Sequence, residues 1–96
     1  MQKWIVTAAM LDESPATLRT IANFEGSEEQ AMSKFHEIIN SYDRDVSKVT
    51  RREVYKYSER QYLVRTLGRL KEVEYIMQLG EFMGDATNLN SPSSPA

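Results

Sequence analysis

In 96 residues the chain carries one histidine and no cysteine, which narrows the chemistry open to it. Zinc and the softer metals take imidazole and thiolate ligands, and His36 alone cannot assemble such a site. His36 follows Phe35 and stands four positions after Met32, the edge of an apolar helical stripe rather than the centre of a catalytic constellation. No serine sits in a Gly-x-Ser-x-Gly setting, and no second base is at hand for a triad. Gly68, Gly80 and Gly84 lie outside any Gly-Lys-Ser/Thr run, so no phosphate-cradling loop is spelled out. Asp43-Arg44-Asp45 lacks the glycine and the spaced oxygens of a calcium loop and reads as a solvated helix exit. Carboxylate pairs could do acid–base work. Here, however, Glu28 and Glu29 suit a helix start, while Glu72 and Glu74 suit the wet side of a strand. The residues therefore predict a non-enzymatic protein with no metal and no other cofactor.

The chemistry that does stand out is charge beside aromatic rings. Residues 44–71 hold nine basic and three acidic side chains, whereas residues 1–43 hold three and seven, and residues 72–96 hold four acids and no base. Within the basic stretch Arg51, Arg52, Lys56, Arg60, Arg65 and Arg69 are interleaved with Tyr55 and Tyr57. Cations that neutralise phosphates next to rings that stack on bases are what single-stranded RNA or DNA requires. The same residues fit a positively charged face for a protein partner. They also fit an ordinary polar sheet face, its cations paired across the ladder with Glu53, Glu59, Glu72 and Glu74. The acidic flanks oppose long-range attraction of a polyanion unless they face away. An acidic helix side opposite a basic sheet would instead suit docking on a larger protein, or self-association as a homodimer.

These residues must be positioned by a small set of elements. In Lys3 to Met10 the side chains of Trp4, Val6, Ala8 and Met10 alternate with Lys3, Ile5, Thr7 and Ala9, a strand with two distinct faces. The polar break through Ser14-Pro15 is turn chemistry. Thr17 to Phe24 then predicts a second strand, with Leu18, Thr20, Ala22 and Phe24 on one face, so the two runs form a hairpin. Ser27 followed by Gln30 has capping-box spacing, and Glu28 and Glu29 sit where the helix dipole favours negative charge. Ala31, Phe35, Ile38, Ile39 and Tyr42 recur on one face of a helix that should end near Tyr42. Val54 to Leu79 is rich in strand formers, with Gly68 marking a turn. A helical reading of residues 50–80 competes through the stripe Leu63, Leu67, Leu70 and Met77, but Ile76, Leu79, Phe82 and Met83 scatter away from that stripe, which favours strands. The expected fold is α+β: an antiparallel sheet of about five strands with one helix packed on one face, in the order β-β-α-β-β-β. Phe82 and Met83 are expected to close one end of the core.

Length supports a single domain over residues 1–83, followed by a Ser/Pro/Asn-rich tail over 84–96 that is expected to be flexible. No run approaches a membrane span. The absence of cysteine, with no leader pattern at the start, predicts a cytoplasmic protein. In its size and its lack of cysteine and catalytic motif, the chain resembles small accessory proteins of bacteria and their phages. That resemblance implies a module that binds and modulates a partner protein, with RNA or single-stranded DNA as the alternative ligand.

Overall fold

The computed structural model describes residues 2–11, 15, 17–43, 46 and 48–85. Strand β1 (Gln2–Met10) and strand β2 (Thr17–Gly26) lead into helix α1 (Glu28–Ser41), and β3 (Val49–Ser58), β4 (Gln61–Gly68) and β5 (Glu72–Glu81) follow. The expected α+β order is the observed one. The sheet is antiparallel throughout and runs β2-β1-β5-β4-β3. The N-terminal hairpin thus docks through β1 on β5, the last strand, and the chain closes its sheet by pairing distant segments. The two edge strands, β2 and β3, run parallel to one another, so the chain leaves one edge, returns along the sheet as α1, and starts the other edge from the same end.

Helix α1 forms where it does because its first turn is satisfied by its own side chains. The Ser27 hydroxyl accepts from the Gln30 backbone N–H at 3.1 Å, while the Gln30 side-chain oxygen accepts from the Ser27 N–H at 2.8 Å. This reciprocal cap supplies acceptors for two of the N–H donors that a helix N-terminus otherwise leaves open. Ala31, Phe35 and Ile39 then fall on one buried face, and α1 packs against β1, β2 and β5.

The core lies between α1 and one face of the sheet. Trp4, Val6, Ala8 and Met10 of β1 meet Leu79, Met77, Tyr75 and Val73 of β5 and Tyr62 and Val64 of β4, all buried. Burying such side chains contributes about 1.5–3 kcal/mol each for the larger ones. Several of the polar atoms taken into this core are partnered, whereas the Tyr42 hydroxyl and the Arg52 Nε are buried without a hydrogen-bond partner. The Trp4 indole donates to the Gly26 carbonyl at 2.9 Å. Tyr75 donates its hydroxyl to the Tyr42 carbonyl at 2.8 Å and lies 2.9 Å from the Thr66 hydroxyl. With its own proton committed to Tyr42, Tyr75 must accept from Thr66, so the one buried polar side chain of β4 is held by a directed chain of bonds.

Residues 50–80 form the expected strands β3, β4 and β5, which removes the helical alternative. The structure departs from the sequence expectations at two places. In β2 the register against β1 shifts between Val6 and Thr7, so that Val6 faces Ala22 while Thr7 faces Thr20. Ile21 is the extra residue of this bulge and packs against the core beside Ala22. Leu18 and Thr20 are thereby turned to the face opposite Ala22 and Phe24, because one inserted residue inverts the alternation beyond it. Finally, Phe82 and Met83 do not close the core: they are 58% and 67% exposed, past the last sheet pairing. Of the tail, Gly84 and Asp85 are described, Gly84 with a positive φ of 123°; the expected flexibility of the remainder falls outside the described residues.

Candidate functional site

The strands that carry the basic stretch also set where each of its side chains goes. Arg52 and Arg60 lie on the helix side of the domain. Arg52, opposite Thr66 in the β3–β4 ladder, reaches the C-terminal end of α1 and donates to the carbonyls of Asn40 at 2.6 Å and Tyr42 at 3.2 Å. The last turn of α1 contains no basic residue of its own, so Arg52 supplies the cation that the negative end of the helix dipole favours. Arg60, in the β3–β4 turn, places its guanidinium 5.1 Å from the centre of the Trp4 ring and bonds the carboxylate of Glu28 at 2.6 Å, with Glu81 at 3.6 Å. It thus ties the hairpin to the start of the helix and to the end of β5.

Lys56 pairs with Glu59 at 2.8 Å within the same hairpin. The hydrogen bond and the adjacent ammonium hold the Glu59 carboxyl below its ordinary range, and the same contact raises Lys56 above its own. Tyr57 is exposed and lies at a second register shift, between Lys56 and Ser58, so it has no opposite number in β4. Arg69 sits in the exposed β4–β5 turn beside Leu70, which is 96% exposed.

Arg51, Tyr55 and Arg65 lie on the other side of the sheet, the face that α1 leaves uncovered. Arg65 donates from Nε and Nη2 to one oxygen of Glu74, at 2.8 and 2.6 Å, and from Nη1 to Glu53 at 3.1 Å, while Glu72 stands 3.8 Å away. Glu74 foremost, and then Glu53, raise the affinity of Arg65 for its proton. Arg51 also pairs with Glu53, at 2.8 Å. The eight residues singled out from the sequence therefore fall in separate places. Five of their six cations have carboxylate or carbonyl partners, and Arg69 makes no ion pair among the described residues. The expectation of a positive sheet face fails on this side, because Arg51 and Arg65 are matched by Glu53, Glu72 and Glu74.

What the uncovered face does carry is a single apolar row. In successive pairings Leu18 lies opposite Ala9, Ala9 opposite Ile76, Ile76 opposite Leu63, and Leu63 opposite Tyr55. The row crosses all five strands. On one side of it runs a polar row of Thr20, Thr7, Gln78 and Gln61 with Ser58, and on the other the ion-pair row Glu74, Arg65 and Glu53. Leu18 and Tyr55 at the two ends are 64% and 47% exposed, while Ala9, Ile76 and Leu63 are half-buried by their neighbours. Of this row only Tyr55 stood among the sequence-derived candidates. Ile76 shares the strand face that Glu72 and Glu74 mark as wet, and the signal against a wholly wet face is apolar residues on both faces of the same strands: Ile5 and Ala9 in β1, Leu63 between Tyr62 and Val64, and Ile76 between Tyr75 and Met77.

A shallow cleft of about 250 Å³ ends this face, with Lys3, Ile5, Asn23, Gly80 and Phe82 among its lining. On the helix side, the exposed His36 makes an edge contact with Tyr62, its Nε2 3.4 Å from the Tyr62 hydroxyl. Among the described residues no three His, Cys, Asp or Glu side chains gather as metal ligands, and no helix is long and apolar enough to cross a membrane. Comparison with family models, with curated proteins and with solved structures finds nothing similar to the chain, by sequence or by fold.

Proposed function

We propose that the chain is a small non-enzymatic interaction module that docks on a protein partner through the uncovered face of its sheet and modulates that partner. The apolar row from Leu18 to Tyr55 carries this reading. A five-strand sheet buries one face under α1 and leaves on the other a continuous band of apolar side chains flanked by polar rows, the pattern of an interface core with a wet rim. Nucleic acid is the weaker reading, because binding phosphates would require Arg51, Lys56, Arg60 and Arg65 to leave carboxylates that already hold them. The lack of cysteine fits a reducing compartment, so cytoplasmic partners are the ones to seek.

The test compares immobilised wild-type protein with L63K in the lysate of the source cell. Circular dichroism establishes first that the variant is folded. A protein captured through physiological salt by the wild type and not by L63K supports the proposal. Equal capture by both, or none by either, overturns it. Salt-resistant binding of labelled single-stranded RNA or DNA would transfer the function to the alternative ligand.

A further inference from the structure

Resting on the same reading of the face, we propose that its occupant is a second copy of this chain, so that two sheets stack face to face about a two-fold axis lying along β5. Facing sheets keep their strand directions within about 30° of each other, and an axis along the strands meets that condition. It also keeps every row opposite itself while exchanging the two edges. Ile76, at the middle of the apolar row, then meets its own copy. Ala9 meets Leu63 of the other copy, a small side chain against a large one, and Leu18 meets Tyr55. The polar row behaves in the same way: Thr7 meets Gln61, Thr20 meets Ser58, and Gln78 meets Gln78, groups that can all exchange hydrogen bonds. Glu74 faces its own copy, and the Arg65 guanidinium bonded to each carboxylate offsets that repulsion.

The area suits a weak, reversible pair. Two rows across five strands at about 4.8 Å spacing and a third across β5, β4 and β3 present a face of roughly 400 Å², so pairing two copies removes somewhat under about 1,000 Å² from water in total, the size of transient interfaces. An isologous contact of this kind closes on itself and needs no further subunit. An apolar row that runs unbroken across five strands is not what a sheet face meant for solvent carries.

The pairing predicts a contact between Leu18 and Tyr55 that a single chain cannot make. Within one chain Leu18 and Tyr55 stand at opposite ends of the row, about 19 Å apart at four strand spacings, too far to interact. Across the axis they touch. Sedimentation velocity from about 1 to 100 µM should show the wild type dimerising, as a weak, reversible interface does. L18K and Y55E, both at exposed positions where folding is not at stake, should each weaken dimerisation by about tenfold or more. Combined in one chain, they place an ammonium opposite a carboxylate twice per dimer and should restore association to within about threefold of wild type. A wild type that is monomeric throughout, a dimer indifferent to both single substitutions, or a double variant no better than either single one overturns the proposal. A monomeric protein whose capture of another protein still depends on Leu63 would reject the second copy while leaving the docking face in place.

Discussion

The Nη1 of Arg52 lies 2.6 Å from the carbonyl oxygen of Asn40, joining the middle of β3 to the last turn of a helix that precedes it in the chain. A residue that reads as a ligand-binding cation is thereby committed to holding the crossover between the two edge strands. Charged hydrogen bonds of this kind contribute about 1.5–3 kcal/mol each. Replacing Arg52 with alanine should therefore lower the unfolding free energy by about 2 kcal/mol in urea titrations, whereas R51A, on the opposite face and exposed, should stay within about 0.5 kcal/mol of wild type. Equal effects of the two would contradict the assignment.

Trp4 is the only tryptophan, so its fluorescence reports on the contact with Arg60. In R60M the cation above the ring is replaced by an apolar chain of similar reach. The emission spectrum should shift while the far-ultraviolet circular dichroism stays the same, and stability should fall by about 0.5–1 kcal/mol. Unchanged emission would mean that the guanidinium does not rest on the indole in solution.

Gly68 pairs with Val49 at the end of β4, and a Cβ built there would fall on Cγ1 of the buried Val46. Val46 is packed against the sheet at that point, so G68A should cost about 1–3 kcal/mol by overpacking. Shortening the opposing side chain with V46A should recover part of that loss. Additive costs in the double variant would exclude the contact.

The Lys56–Glu59 pair sets a pH dependence of defined sign. The Glu59 carboxyl is lowered in the fold, so its contribution is present above the ordinary carboxylate range and is lost as pH falls through the lowered value. Lys56 is raised, so its contribution is present below the ordinary lysine range and is lost as pH rises through the raised value. Between those limits the pair contributes a plateau, small because both groups are exposed to solvent and screened by salt. The urea midpoint of K56M against pH should lack the share of the acid limb that wild type owes to this pair. Superimposable profiles would mean that the pair is absent in solution.

Much of the fold was legible because it is written locally. The capping box at Ser27 and Gln30, the apolar stripe of α1, and the alternation that buries Trp4, Val6, Ala8 and Met10 all depend on residues a few positions apart. The β2 bulge was not legible, since Ile21 reads equally well as an alternating residue until β1 fixes the register beside it. Phe82 and Met83 were misread for a related reason: apolar residues after a strand look like core, and only the length of the β1–β5 ladder shows that they lie beyond it. The binding candidates were chosen by type, and type alone could not separate Arg52, which serves the helix end, from Arg51, one residue away on the other face.

Taken by itself, the sequence determined which chemistry the chain lacks motifs for, the α+β class, and the core-facing sides of β1 and α1, because propensity, capping and period are properties of neighbouring residues. The tertiary structure decided that Leu18, Ala9, Ile76, Leu63 and Tyr55 form one band and that five of the six candidate cations are already paired. Both depend on register between strands far apart in sequence, and register is settled only when the core closes and every strand must commit one face to it.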